Sequence, residues 1–84
     1  MTKNELMETL SEFECLLADG FEDALIGRTS GFNVVAVYDY ELCVHILIEQ
    51  DMTAEEAIEF MEFNVVGAYM GEKTPLFVNL SYAD

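Results

Sequence analysis

Positive charge is what this sequence has least of. Its only basic residues are Lys3, Arg28 and Lys73, and no lysine or arginine falls between the last two. Against them stand seventeen acidic residues, for a formal net charge of −14 at pH 7. Such a chain repels DNA, RNA and anionic membrane surfaces, so direct nucleic-acid binding and membrane-surface binding are excluded first. Long apolar runs are missing too: no stretch approaches the roughly 18 residues that a membrane span requires. The start, Met1-Thr2-Lys3-Asn4-Glu5, lacks the basic-then-apolar order of a secretory signal. A cytoplasmic protein is expected.

Catalytic and metal-binding residue types are equally scarce. The single histidine, His45, lies two residues from Cys43 in an apolar, helix-like stretch, and that spacing puts them roughly 200° apart around a helix. They do not face each other, so no nucleophile and base are paired. Cys15 and Cys43 both sit among apolar neighbours, which favours two buried free thiols over a disulfide or metal pair. Neighbouring carboxylates such as Glu22-Asp23 and Glu55-Glu56 occur, yet no alternating D-x-D-x-D-G loop is present to hold a divalent cation. Neither a catalytic residue nor a metal or cofactor site is assigned, and a non-enzymatic protein is expected.

Apolar side chains are plentiful, at 52% of 84 residues. That suffices for one core and one domain, residues 1–84, with no room for a second. A folded chain of this size exposes about 5,000 Å², roughly one net negative charge per 360 Å² of surface on that estimate.

Thr2 to Glu5 has the form of a capping box, and Leu6, Leu10, Phe13 and Leu17 follow at helical spacing until Gly20. A helix over 3–18 is predicted. Ala24 to Gly27 and Asn33 to Tyr38 are short β-prone runs separated by Arg28-Thr29-Ser30-Gly31, which predicts a hairpin. Asp39 can cap a second helix with Leu42, Cys43, Ile46, Leu47 and Gln50 along one stripe, apolar enough to be largely buried. Thr53 to Glu56 is a second capping box, opening a helix with Ala57, Ile58, Met61 and Val65 inward and Gly67 or Gly71 as its stop. After Thr74-Pro75, Leu76 to Val78 reads as a last strand, and 79–84 as a frayed tail. The predicted fold class is α+β: a three-stranded antiparallel sheet with about three helices on one face, in the order α-β-β-α-α-β.

Several words in the chain carry a likeness: Asp23-Ala24-Leu25-Ile26-Gly27, Val37-Tyr38-Asp39, Met52-Thr53 with Glu55-Glu56-Ala57, Glu62-Phe63-Asn64, and Gly71-Glu72 with Thr74-Pro75. In these the chain resembles a family of short, acidic, uncharacterised phage and prophage proteins. The resemblance implies a phage origin and a host-cytoplasm setting, and supplies no catalytic residue. Small size with heavy acidity is also similar, on charge alone, to anti-CRISPR and DNA-mimic proteins. Most of these words have structural roles as caps, breakers or core. Asn64, late in a helix, is read either as a satisfied buried amide or as a contact residue.

Charge spacing is the most informative functional signal. Glu55, Glu59 and Glu62 recur at i, i+4 and i+7 with Glu56 beside them, and no lysine neutralises the stripe. The first helix repeats the pattern with Glu5, Glu8 and Glu12, about one charge per 5 Å of axis. Duplex DNA carries one per about 1.7 Å, so mimicry requires two acidic elements side by side. The expected function is an inhibitor that docks this acidic surface on a basic, nucleic-acid-binding host protein such as a CRISPR effector. Tyr40, Phe63 or Tyr69 would anchor the contact. The alternative is a small structural or adaptor protein that self-associates as a homodimer through an apolar sheet face, its acidity serving solubility. Clustered carboxylates repel, so stability is expected to rise as pH falls from 7 toward 5.

Overall fold

A computed structural model describes residues 2–80. The four C-terminal residues of the expected tail, 81–84, lie outside the described part, whereas Asn79 and Leu80 are exposed and outside regular structure. The elements are α1 (Lys3–Glu12), a 3-10 turn (Glu22–Ala24), β1 (Leu25–Arg28), β2 (Ala36–Asp39), α2 (Tyr40–Glu49), α3 (Ala54–Phe60), a π-helical segment (Met61–Val66) and β3 (Leu76–Val78). The fold is α+β with the order α-β-β-α-α-β, as the sequence predicts.

Both capping boxes form. Thr2 Oγ1 accepts from Glu5 N at 3.2 Å while Thr2 N donates to Glu5 Oε1 at 3.1 Å. Thr53 and Glu56 repeat the exchange at 3.1 and 2.9 Å. Asp39 caps α2 by accepting from Leu42 N at 3.3 Å.

Gly67 closes the third helix and its π-helical continuation, as expected, but the first two helices end without glycine. The helix expected over 3–18 stops at Glu12, because Glu14 takes a left-handed φ of 56°. Glu14 N then donates to Ser11 O at 3.0 Å and Cys15 N to Leu10 O at 2.9 Å. This is the paired arrangement of a Schellman stop, built on an acidic residue. Asp51, with φ 72°, ends α2 in the same way, through Asp51 N to Ile48 O and Met52 N to Leu47 O. Phe13 and Leu17, expected on the inward stripe, are consequently exposed.

The sheet order is β1-β2-β3. β1 and β2 form the expected antiparallel hairpin, pairing Leu25 with Tyr38 and Gly27 with Val37, so that Ile26 is an extra, bulged residue. β3 corrects the expectation of a purely antiparallel sheet: it lies parallel to β2, with Tyr38 opposite Phe77. A parallel neighbour needs a crossover of a dozen or more residues, and the two helices after β2 supply one that returns the chain to the end where β2 began.

Leu6 and Leu10 of α1, Ala36 and Tyr38 of β2, Cys43 and Leu47 of α2, and Ala57 and Met61 at the third helix share one core. Ala36 and Tyr38 alternate with half-buried Val37 and Asp39, so one sheet face receives the helices. Tyr38 is the centre of this core: its ring stacks on Phe77 at 5.3 Å, and its hydroxyl accepts from Ala18 N at 2.9 Å. The second helix is less buried than predicted, with Leu42, His45 and Ile48 exposed.

The accessible surface of 5928 Å² and radius of gyration of 13.2 Å exceed the roughly 5,000 Å² and about 12 Å usual for this length. The excess is partly aromatic and apolar: Phe32, Phe63, Tyr69 and Met70 stand in solvent.

Candidate acidic docking surface

The third helix begins at its Thr53 cap and presents Glu55, Glu56, Glu59 and Glu62, all exposed. Its inward side is held by Ala57 and Met61, both fully buried. Ile58, expected inward, is exposed instead. From Met61 the backbone widens into the π-helical segment, to which Glu62 belongs.

Glu62 has its own partner. Its Oε2 accepts from the Tyr40 hydroxyl at 2.7 Å, tying the π segment to the start of α2. Burial first, and then this carboxylate, push the Tyr40 phenol up to about 12. Tyr40 therefore braces α2 against the π segment at the surface, while Tyr69 lies away from the acidic depression, in a hollow with Thr29, Asn33, Val66 and Leu76. Phe63 is 76% exposed and Tyr69 77%.

Phe63 stands beside the carboxylates. A shallow depression is lined by Met52, Glu56, Glu59, Phe60, Phe63 and Asn64. Two carboxylates and two rings at one concave place suit an ammonium or guanidinium group, which gains from charge and from the ring faces. Asn64, whose alternatives were a buried amide and a contact residue, is exposed at the rim of this depression. Glu56 is also committed to the cap, where hydrogen bonds with Thr53 hold its carboxyl below the ordinary 4.5. Thr2 does the same to Glu5. The carboxylates that shift thus move opposite to the expected mutual repulsion.

Glu5, Glu8 and Glu12 are exposed along α1, but α1 packs on β1 whereas α3 packs on α2. The two acidic helices are not main packing partners of each other among the described residues, although Leu6 and Leu10 of one share a core with Ala57 of the other. The neighbour α3 does have, α2, exposes Glu41 and Glu49 of its own. Sequence reasoning passed over these because each stands alone on a mostly apolar helix.

Burial pushes the Cys43 thiol up to about 11, and Cys15 donates its Sγ–H to Val34 O at 3.1 Å. Both cysteines are free. Among the described residues no three His, Cys, Asp or Glu side chains converge as a metal site, and no helix is long and apolar enough to cross a membrane. No family model, curated protein or solved structure matches this chain.

Proposed function

We propose that this chain is a binding protein that docks the acidic surface of α3 on a basic, nucleic-acid-binding protein and blocks the groove it covers. The observation that carries this is the exposure of Glu55, Glu56 and Glu59 on one short helix that bears no lysine or arginine, followed at once by exposed Glu62 and the exposed ring of Phe63 in the π segment. Carboxylates steer a basic partner to the surface, and the aromatic ring offers the apolar contact that holds it. The resemblance to acidic phage proteins supports a host-cytoplasm partner such as a CRISPR effector or another nucleic-acid enzyme.

The test begins with capture from a host lysate at low and at 0.15 M-range salt, followed by affinity measurements on the captured protein. Glu55→Lys with Glu59→Lys is the informative variant, because it leaves the Glu56 cap and the Glu62–Tyr40 bond untouched. The expected result is a folded variant whose partner binding is lost and whose parent complex weakens with salt. A folded variant with unchanged affinity, or a chain that only self-associates, overturns the proposal.

A further inference from the structure

A second hollow, of about 450 Å³, lies on the other side of Phe60 and Asn64. Its walls come from three distant parts of the chain: Leu16, Leu17 and Phe21 from the loop after α1, Val65 and Met70 from the π segment and the turn beyond it, and Phe77 from β3. Hydrogen bonds hold those walls in place. Leu16 N donates to Lys73 O at 3.2 Å, Ala18 N to the Tyr38 hydroxyl at 2.9 Å, and Met70 N to Thr74 Oγ1 at 2.8 Å. Leu16, Leu17 and Met70 nevertheless remain exposed. A preformed, mostly apolar hollow with open walls fits the side chains of a bound segment.

Charge selects the occupant. Among the described residues the only ionisable side chain in the lining is Asp19, and the adjoining depression, which shares Phe60 and Asn64, contributes Glu56 and Glu59. The nearest cation, Lys73, points its ammonium at Val34 O, 3.2 Å away, and over the Phe13 ring. A second copy of this chain, itself at a net −14, would be repelled, and an anionic lipid surface likewise. A basic amphipathic segment satisfies both hollows at once.

We propose that this apolar hollow is the anchor site for a partner segment that carries a large apolar side chain next to an arginine or lysine, the apolar group entering between Leu17, Met70 and Phe77 and the cation lying against Glu56 and Glu59. The proposal rests on the acidic docking surface described above and places the holding contact beside it. Exposed ion pairs speed encounter but hold little, whereas a desolvated apolar anchor sets the lifetime of a complex.

The probe is a helical peptide with leucines on one face and arginines on the other, compared by amide chemical-shift mapping with a twin of equal charge in which serines replace the leucines. The expected result is binding of the leucine peptide with shifts at Leu16, Leu17, Val65, Met70 and Phe77, and much weaker binding of the twin. Met70→Glu and Leu17→Glu, both at exposed positions, should each weaken the leucine peptide by about tenfold although they add negative charge. Twins that bind equally, with shifts confined to α3, overturn the anchor site and leave the acidic surface standing. Absence of binding by either peptide overturns both, and Met70→Glu binding as tightly as the parent, or concentration-dependent shifts in the hollow without peptide, overturns the choice of occupant.

Discussion

Gly67 is the residue whose replacement tests the third helix most directly. It closes the π-helical segment, and a Cβ built there would lie 2.8 Å from the carbonyl oxygen of Glu62 and 3.5 Å from that of Phe63. Gly67→Ala gains at most the helix-interior preference for alanine, about 0.8–1.0 kcal/mol. It gains less at this terminal position. Against that stands a contact with main-chain oxygen, which cannot rotate aside as a side chain would, and overpacking of this kind costs about 1–3 kcal/mol. A net loss of about 1–2 kcal/mol is expected. With an m-value near 1 kcal/mol/M, urea unfolding should show the midpoint fall by about 1–2 M at unchanged m. The amide resonances of Phe63 and Asn64 should move as the segment shifts. An equal or higher midpoint with those resonances in place would refute the idea that Gly67 permits the π register.

Three further outcomes are expected. Ultraviolet titration should find Tyr40 ionising near 12 in place of the ordinary 10, with Tyr38 also raised by its burial, and Glu62→Gln should lower Tyr40 only partway because burial is the larger cause; the folded state keeps that proton longer, so the associated stability is complete below pH 10 and lost as pH rises through 12. Thr2→Ala and Thr53→Ala should each cost about 1 kcal/mol at neutral pH, and since Glu5 and Glu56 are held below 4.5, the stability they bring is present above that value and drains away as pH falls through their lowered range, which a denaturant series across acid pH will show. Thiol alkylation of the native protein should reach Cys15 well before Cys43, which is fully buried and raised to about 11; equal rates would contradict the packing of α2.

Local chemistry was legible where it acts over a few residues. The two threonine–glutamate boxes and the Asp39 cap located the starts of all three helices, because a capping bond is decided by residues three apart. The hairpin was visible in its β-prone runs. The ends of the first two helices were not, unlike the third at Gly67, since their left-handed stops fall on Glu14 and Asp51, residues that adopt such a φ only when the surrounding hydrogen bonds hold them there. Leu17 and Phe13 continued the helical period on paper and left it in space for that reason.

Composition and spacing alone determined that this chain is acidic throughout, folds as one α+β unit and lines α3 with uncompensated carboxylates, all properties of residue type and short-range order. Tertiary structure decided the rest. It set β3 parallel to β2, bonded Tyr40 to Glu62, gave α1 and α3 different main packing partners, and assembled an apolar hollow from Leu17, Met70 and Phe77. Those outcomes depend on contacts between residues far apart in the chain, whose pairing is settled by how the whole core closes around Tyr38 and Met61 rather than by any local preference.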